Sequence, residues 1–443
     1  MDLYTKESFR PLFASVIVVA FIIFVFVSGV ADEIRLSASL YRKPAFPDFS
    51  QYTYMQTLTE EEFPTDARDR RVIVVGDIHG MNDSLGNLLR ELSYDPQADT
   101  LIHLGDLVAK HGADGSLPVL SFMSTHNVLG VRGNNDQKVI EWRAWMHWIL
   151  SLPGGRQWLT EMDSSWPHLD GDKQNPDFDV WLQKSGMDWI DRIPKGWKLL
   201  GKHYKTARAM SEEHYDYLRS LPLVLYSPMS HTFFVHAGLL PSDPNRKPTH
   251  PRQPLSHWPT MLSANKNTTL LRGLQELALL DDIPQNKDPW TLMNMKGVQK
   301  DGTIVNKSNK GTPWSELWND MMNRCSGNEP RHMVSMQRWS PASVTPRARH
   351  REATSLPCYA STVVYGHAAA RGLDIKRWSV GIDTGCAHDR RLTALVLDRD
   401  SSPFTSRDGV PEDGTAVEDI STHLSRIPYG DNGQARLVSI NCH

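Results

Sequence analysis

The sequence predicts an α/β fold in which strands and helices alternate along a core that two long insertions interrupt. Between residues 71 and 133, short apolar runs that end near a glycine alternate with segments of helical spacing, as in βαβ units. The chain has 443 residues, 40% hydrophobic and 22% charged, which are ordinary globular values and allow a large core. Residues 141–220 are rich in tryptophan and residues 241–356 in proline, asparagine, lysine and arginine, and both stretches break the strand pattern.

The core elements are predicted in chain order from these patterns. Strands are expected at residues 71–76, 100–105, 127–133, 231–236, 361–366, 378–383 and 391–398, and helices at 83–92 and 117–123. Residues 31–69 are polar, contain three prolines and are interpreted as a lumenal linker. We place the folded domain at residues 70–400 and interpret residues 401–443 as a polar C-terminal tail.

Residues 12–30 form a stretch of nineteen positions without a charge. A helix of this length, at ~1.5 Å per residue, spans roughly the ~30 Å hydrocarbon core of a bilayer. A cleaved signal peptide is the alternative, although its apolar core is usually only ~7–15 residues long. We therefore predict a cytosolic tail at 1–11, an uncleaved transmembrane signal-anchor and a lumenal body. The sequons at Asn267 and Asn306 fit glycosylation of such a body.

The charge balance and the cysteines exclude several classes of protein. The 48 Lys and Arg residues against 51 Asp and Glu residues give a formal net charge of −3, which excludes a globally basic nucleic-acid binder and a strongly acidic disordered chain. Four cysteines are too few for a disulfide scaffold. Cys325 and Cys358 could form a bridge, but the sequence does not fix the pairing.

A polar cluster follows each of five predicted strands, where open α/β sheets place their sites. The clusters are Gly76-Asp77-Ile78-His79-Gly80, Gly105-Asp106, Gly133-Asn134-Asn135-Asp136, His236-Ala237-Gly238 and Gly366-His367. Oxygen and imidazole donors on neighbouring loops can converge on a pair of divalent metal ions. The candidate metal ligands and catalytic residues are Asp77, His79, Asp106, Asn134, His236 and His367.

The motif series GDIHG, GDLV, GNND, HAGL and GH resembles the metallophosphoesterase superfamily, of calcineurin-like phosphatases, in its phosphoprotein-phosphatase branch. The closing run YGHAAARGLDIKRWSVGIDTGCAHDRRLTAL resembles the diadenosine tetraphosphatases of bacteria and their eukaryotic relatives, the ApaH-like phosphatases. With the anchor and the Trp-rich insertion, the chain resembles the fungal vacuolar zinc-dependent endopolyphosphatases. The resemblance implies a four-layer α/β/β/α sandwich with a helical cap, in whose core we expect the tryptophans of residues 142–158.

The resemblance also implies a role for each ligand. Asp77 and His79 would hold the first metal ion, Asp106 would bridge both ions, and Asn134 with the two later histidines would complete the second site. In such sites the ions lie ~3.5–4 Å apart, and a hydroxide that bridges them attacks phosphorus in line. The resemblance suggests zinc, and the ligand set also suits manganese, cobalt, iron or magnesium.

Two motifs depart from the protein-phosphatase branch, which continues GDxVDRG and then GNHE. Ala109 and Lys110 replace the Asp and Arg of the first motif, and Asn135 replaces the His of the second. In the family, that His and Asp together donate a proton to the leaving group. Their absence favours phosphoanhydrides, because the expelled phosphate has a second pKa of about 6, whereas a phosphoserine expels a strongly basic alkoxide. His111 or a histidine from an insertion could supply the proton instead.

Residues 195–208 carry lysines at i, i+3, i+7 and i+10, which on one helix would share a face within an arc of about 80°. This face is either a solvated helix surface or a positively charged track for a polyanion. The predicted phosphate-binding residues are Lys110, Arg132, Asn135, Arg371, Lys198, Lys202 and Lys205.

The sequence thus predicts metal-dependent hydrolysis of phosphoanhydride bonds, with internal cleavage of inorganic polyphosphate in a vacuolar lumen as its most specific form. The alternatives are a diadenosine polyphosphate hydrolase, a serine/threonine protein phosphatase and a non-catalytic polyphosphate-binding protein. The presence of all six expected ligands argues against the last of these. The expected partners are polyphosphate and, through the N-terminal helix, a membrane, but no nucleic acid.

Overall fold

The computed structural model describes residues 46–64, 70–108, 110–247, 250–257, 268–327, 355–398 and 424–442. The predicted cytosolic tail, the predicted anchor and the sequon at Asn267 lie outside these ranges, while Asn306 is exposed. None of the helices within the described ranges has the length and apolar character that a membrane crossing needs.

The chain forms two compact units, Met1–Asp48 with Gln174–Trp197, and Phe49–Lys173 with Lys198–His443. The strands are β1 (Thr53–Thr57), β2 (Arg71–Val75), β3 (Asp99–His103), β4 (Leu129–Gly130), β5 (Pro222–Ser227), β6 (Thr232–Val235), β7 (Gly297–Val298), β8 (Ile304–Val305), β9 (Thr312–Pro313), β10 (Thr362–Tyr365), β11 (Asp374–Lys376), β12 (Ser379–Gly381), β13 (Arg391–Leu397), β14 (Leu424–Tyr429) and β15 (Gly433–Asn441). The helices are α1 (Asn82–Glu91), α2 (Gly112–Thr125), α3 (Asn134–Ser151), α4 (Gly155–Ser165), α5 (Pro176–Lys184), α6 (Met187–Ile190), α7 (Lys202–Ala209), α8 (Glu212–Ser220), α9 (Thr268–Asp281), α10 (Pro289–Asn294) and α11 (Trp314–Met322). The seven core strands and the two core helices predicted from the sequence are all present among them.

Two six-stranded sheets form the centre of the larger unit. Their strand orders are β1-β5-β6-β10-β12-β11 and β14-β15-β13-β2-β3-β4, and a small third sheet has the order β8-β7-β9. In the second sheet, β2, β3 and β4 are parallel and are linked by α1 and α2, which makes the predicted βαβ units. In the first sheet, β6, β10 and β12 are parallel.

The two large sheets pack face to face through an apolar core. Val72 and Val74 of β2 belong to the same buried cluster as Phe234 of β6 and Val364 of β10. Because side chains alternate across a strand, the neighbouring residues of β6 and β10 form a second cluster on the opposite face, where Trp318 of α11 also lies. On the far side of the second sheet, α1 contacts β13 and β15. The layers therefore run helices, sheet, sheet, helices, as in the predicted sandwich.

The first insertion packs three of its tryptophans inward. Trp142 and Trp145 of α3 and Trp158 of α4 are buried, with ring centroids of neighbouring pairs 5.1 and 6.3 Å apart. Tyr204 of α7 completes this cluster at 5.2 Å from Trp142. Buried aromatic pairs of this kind stabilise by about 0.5–1.5 kcal/mol beyond their buried area. These three tryptophans therefore form core, as expected, and anchor α7 against α3.

Two expectations for the ends of the domain are wrong. The predicted linker contains β1, which pairs with β5 in parallel at the edge of the first sheet. The predicted C-terminal tail contains β14 and β15, and β15 pairs with β13 along six residue pairs. The folded domain therefore extends beyond residue 400, because β15 supplies buried residues such as Leu437 to the core between the sheets.

Two disulfides join Cys325 to Cys358 and Cys386 to Cys442. The first is the pair that the sequence left open, and the second attaches the end of β15 to a short 3₁₀ helix, Cys386–His388. The second bridge therefore ties β15 to the segment that contains His388.

Replacing both Cys386 and Cys442 with Ser should lower the free energy of unfolding by about 2–4 kcal/mol, since this bridge spans 56 residues of chain. Urea unfolding without reductant measures the change. The paired replacement of Cys325 and Cys358, which span 33 residues, serves as the comparison and should cost somewhat less. An unchanged unfolding midpoint for the first double variant would contradict the prediction.

Candidate metal centre

The predicted ligands gather where five strands end. Asp77, Asp106 and Asn134 follow the parallel strands β2, β3 and β4, whose carboxyl ends lie at one edge of their sheet. His236 and His367 follow β6 and β10, which are parallel in the other sheet. The backbone N–H of His367 donates to Asp77 Oδ1 at 3.0 Å, so residues 290 positions apart meet here.

Two triads of metal-ligating side chains share Asp106. Asp77, His79 and Asp106 form the first triad, and Asp106, His236 and His367 form the second, with the ligand atoms of each triad within 4.8 Å of one another. Asp106 Oδ2 lies 3.6 Å from His79 Nε2, whereas Asp106 Oδ1 lies 3.6 Å from His236 Nε2. Each oxygen of this carboxylate thus faces a different triad, as a bridging ligand requires.

Asn134 lies beside the second triad, with its Oδ1 3.2 Å from His236 Nε2. It begins α3, whose first turn also contains Asp136. The Asp136 carboxylate accepts hydrogen bonds from the backbone N–H groups of Leu107 and Gly133, both at 2.9 Å. Asp136 thereby ties the loops after β3 and β4 together, which sets Asn134 and Asp106 side by side.

Three of the ligand residues adopt a left-handed backbone conformation. The φ angles are 52° for His79, 51° for Asp106 and 62° for His367. Such angles cost about 1–3 kcal/mol for residues other than glycine and concentrate at functional sites. Hydrogen bonds hold the strained loops, since the His79 N–H donates to the Asp106 carbonyl at 2.8 Å.

Two glycines make room for the carboxylates. A Cβ at Gly133 would lie 2.3 Å from Asp106 Oδ1, and a Cβ at Gly366 would lie 2.1 Å from Asp77 Oδ1. Both distances are below any normal contact, so the motifs need glycine at these positions because the carboxylates approach the backbone closely.

Hydrogen bonds to backbone carbonyls show which nitrogen of each histidine ring carries the proton. The Nδ1–H groups of His236 and His79 donate to the carbonyls of Leu104 and Val108, at 2.7 and 3.3 Å. These bonds leave Nε2 of both rings with a lone pair that faces the carboxylates. His367 is the reverse, because its Nε2–H donates to the Asn294 carbonyl at 3.2 Å and its Nδ1 remains available. This is the outer support that metal-binding histidines usually have.

The electrostatics of the site fit divalent cations. Burial, together with Asp383 and Asp106, raises the pKa of Asp77 well above its usual range, and Asp77 Oδ2 is buried without a hydrogen-bond partner. Burial also lowers the pKa of His79 and His367, which favours the neutral imidazole that binds metals. Buried carboxylates and neutral imidazoles of this kind need a positive charge among them, and two divalent ions would supply it.

Four basic side chains, which we call the basic cluster, surround this centre. They are Lys110, Lys202, Lys296 and His388. Lys110 Nζ donates to His388 Nε2 at 3.1 Å, and Lys202 Nζ donates to the Lys110 carbonyl at 3.0 Å. Burial lowers the pKa of Lys296, while Asp383 and Asp77 act in the opposite sense, so this lysine lies within electrostatic reach of the centre. Within the described residues, no carboxylate oxygen lies within 4.0 Å of the Nζ atom of any of the three lysines.

Two predicted phosphate-binding residues have other roles. Arg132 is fully buried, and its guanidinium donates to the carbonyls of Gln51 and Arg219 and to Gln137, so the expectation that it meets substrate is wrong. Arg371 donates to the Lys296 carbonyl at 2.6 Å and lies 3.9 Å from Asp374, so it supports the backbone of Lys296.

The prediction of a single lysine-bearing helix over residues 195–208 is also wrong. Gly196 has a φ of 85°, Gly201 is extended at the N-cap, and α7 begins only at Lys202. Acidic residues interrupt the row, since Lys198 Nζ lies 4.0 Å from Asp172 Oδ1. Lys205 lies near a second acid, Asp170. The pKa of Asp170 is lowered mainly by a backbone hydrogen bond and to a smaller extent by the charges of nearby lysines. Of the lysines in this row, Lys202 is the one that the structure places in the basic cluster.

Sequence reasoning missed Lys296, His388, Asp383 and His203. Lys296 and His203 lie in the two insertions, which contain no recognisable motif, so no local sequence pattern predicted them. Asp383 and His388 lie in the closing run GIDTGCAHD, whose polar residues after an apolar strand are the same signal that identified the ligands.

Replacing Asp106 with Asn should lower bound metal from about two ions to about one or fewer per chain, because a neutral amide bridges two cations poorly. Elemental analysis after dialysis against a weak chelator measures the content. Asp114→Asn makes the same chemical change at an exposed position and should retain both ions. Full metal content in the Asp106 variant would contradict the prediction.

Replacing Gly366 with Ala should weaken metal binding by about tenfold or more, since the new Cβ displaces Asp77 Oδ1. Chelator competition measures the affinity. Gly86→Ala is the matched control, because its Cβ meets nothing within 4 Å, and it should stabilise α1 by up to about 1 kcal/mol. Equal metal affinity in both variants would overturn this reading of Gly366.

Comparison with known proteins identifies a family and several relatives that are similar to this chain. A sequence model of the calcineurin-like phosphoesterase family matches residues 70–367, more than half of the chain. Serine/threonine-protein phosphatase 1 of Salmonella typhimurium (strain LT2) is 41% identical over 93 residues, which are 21% of this chain and 42% of that protein. The symmetrical bis(5'-nucleosyl)-tetraphosphatase of Klebsiella pneumoniae subsp. pneumoniae is 43% identical over 65 residues, 14% of this chain and 22% of that protein.

These matches span less than half the length of the curated relatives. A crystal structure assigned to a diadenosine tetraphosphatase aligns with 78% of this chain and 94% of its own, at 21% identity and a TM-score of 0.38. The family match contains all six candidate ligands and the two triads. The chain therefore belongs to the calcineurin-like phosphoesterase family, whose members depend on a dinuclear metal centre.

Proposed function

We propose that this protein hydrolyses phosphoanhydride bonds and that its substrate is inorganic polyphosphate, cut at internal positions. The observation that carries the proposal is the basic cluster beside the two triads. A single phosphate at the metal centre needs only its immediate ligands. Additional cations without carboxylate partners suit a substrate whose negative charge continues beyond the reacting phosphate.

The three lysines of the basic cluster come from three separate segments. Lys110 follows β3, Lys202 begins α7 in the first insertion, and Lys296 precedes β7 in the second. A lysine that faces two divalent cations is repelled unless an anion lies between them. Phosphate groups of a chain would fill this position, each one neutralising part of the charge.

The surroundings of the leaving group also favour an anhydride. Asn135 carries an amide, which has no proton to transfer, and its neighbour His203 has a pKa that burial and Lys138 lower to about 4. The imidazole of His203 is therefore neutral near pH 7 and a weak proton donor. A departing phosphate tolerates this, whereas an alkoxide from phosphoserine does not.

The metal ions, when bound, would lower the pKa of a water molecule to make the nucleophile and would neutralise charge on phosphorus oxygens. Asp77, His79 and Asp106 would hold one ion, and Asn134 with His236 and His367 would complete the site of the other. Zinc is our proposed metal. The chain itself contributes the strained loops that fix the ligands and the basic cluster that receives the substrate.

A lumenal location fits the two disulfides, because such bonds persist in oxidising compartments. We propose a vacuolar protein with a single N-terminal anchor and a lumenal body. The exposed sequon residue Asn306 suits glycosylation there.

A diadenosine polyphosphate hydrolase is the second candidate, and the named activity of the nucleosyl-tetraphosphatase relative supports it. Such an enzyme needs an aromatic surface for the base. The tryptophans Trp142, Trp145 and Trp158 are buried and cannot serve. Trp290 is 45% exposed, one helical turn before Asn294, whose carbonyl contacts His367. A base stacked on Trp290 would lie near the second triad.

The deciding experiment supplies the metal-loaded full chain with long polyphosphate, diadenosine tetraphosphate and a phosphoseryl peptide in parallel. Internal cleavage of polyphosphate should give a ladder of shortened chains on a gel and the highest kcat/KM of the three substrates. Faster turnover of the peptide, or steady orthophosphate release from otherwise uncut chains, would overturn the proposal. Trp290→Ala should slow only the dinucleotide reaction if that is the true substrate.

Replacing Lys110 with Ala should raise the KM for long polyphosphate by about tenfold, because a charge-assisted contact to phosphate is lost. The effect should shrink as salt is added, since ions screen it. KM at two salt concentrations measures both changes. Lys300→Ala removes an exposed lysine elsewhere and should leave KM unchanged. Equal effects of the two variants would contradict a specific role for Lys110.

A further inference from the structure

Asn135 binds the shared carboxylate through two groups. Its backbone N–H donates to Asp106 Oδ1 at 2.8 Å, and its side-chain Nδ2–H donates to Asp106 Oδ2 at 2.5 Å. Both nitrogen atoms of Asn135 therefore donate to Asp106. The side chain that the sequence predicted to bind phosphate thus contacts the metal centre directly.

His203 of the first insertion fixes the orientation of that amide. Its Nε2 lies 2.9 Å from Asn135 Oδ1. Because Nδ2 of Asn135 faces a carboxylate, Oδ1 must be the atom that faces His203, and the ring must donate through Nε2–H. The hydrogen bonds therefore run in one direction, from His203 to Asn135 to Asp106. No hydrogen bond joins Nδ1 of His203 to another described residue.

This direction matters because the amide has an unfavourable alternative. If Asn135 rotated by half a turn, its Oδ1 would face the Asp106 carboxylate, and two electron-rich oxygens would repel each other. The bond from His203 stabilises the orientation in which both oxygens of Asp106 receive a donor. Oδ2 of Asp106 faces His79 and Oδ1 faces His236, so the amide helps to keep the carboxylate directed at both triads.

The ring of His203 is held firmly by its helix. α7 packs against α2 and α3, and Arg208 Nε in its last turn donates to Asp163 Oδ2 at 2.8 Å. Tyr204, the next residue, is buried in the tryptophan cluster. The first insertion thus extends a side chain to the edge of the metal centre on a rigid support.

We propose that His203 is a positioning residue of the metal centre, acting through Asn135 to orient the bridging carboxylate Asp106. The first insertion is then part of the centre rather than a cover above it. This inference depends on metal binding at the two triads but not on polyphosphate being the substrate.

A double-mutant cycle on metal affinity tests the relay. The variants are His203→Ala, Asn135→Ala and the double variant, all in the full chain, with Zn²⁺ affinity measured by chelator competition and with the thermal midpoint recorded for each. His203→Ala should weaken the binding of at least one ion by about 10–100-fold, the usual effect of removing an outer partner. The double variant should bind no more weakly than Asn135→Ala, because the two residues act as a unit.

Two further variants separate positioning from folding. His203→Gln places an N–H near the position of Nε2 and should restore most of the affinity. His214→Ala removes another histidine of the same insertion, one that contacts Ser121 at 3.1 Å, and should leave metal affinity unchanged. Equal losses from the His203 and His214 variants, or losses from His203→Ala and Asn135→Ala that multiply in the double variant, would overturn the proposal. Because metal affinity is the readout, failure of the polyphosphate proposal leaves this test intact.

Discussion

The rest of the site depends on one shared, buried carboxylate. Asp106 lies between two groups of ligands, and its oxygens face one histidine of each. Burial would raise its pKa, but the hydrogen bond from the Asn135 N–H acts in the opposite sense, and the pKa lies below its usual value, so the carboxylate stays charged. A fixed negative charge at this point is what allows two cations to lie close together. The left-handed loops and the close glycines all serve to present this carboxylate and its neighbour Asp77.

The two insertions turn a general hydrolytic centre into a particular one. Each brings a lysine toward the ligands, Lys202 from the first and Lys296 from the second, and the first also brings His203. They can do so because their helices are anchored by large apolar clusters, around Trp145 on one side and Trp318 on the other. The apolar packing of these clusters offsets the conformational entropy that long polar side chains lose when they are ordered at the centre.

Much of the fold and the ligand set could be predicted because the relevant signals are local. An apolar run that ends in glycine and a polar residue marks both a strand and its functional end, as in residues 71–77. Contacts between distant segments left no such signal. The position of Arg132 beside GNND predicts a phosphate ligand, yet its guanidinium donates hydrogen bonds to backbone carbonyls. The strand β15 was missed because its alternation is weak and its partner, β13, is fixed only by the assembled sheet.

The sequence by itself determined the α/β class, the positions of the core strands along the chain and the residues able to hold metal ions, since each depends on spacing within a few residues. The tertiary structure decided which residues surround those ligands. It brought His203 to Asn135 and Lys110 to His388, and it buried Arg132. These outcomes depend on how helices from the insertions pack against the sheets, and packing is a property of the whole core rather than of any single segment.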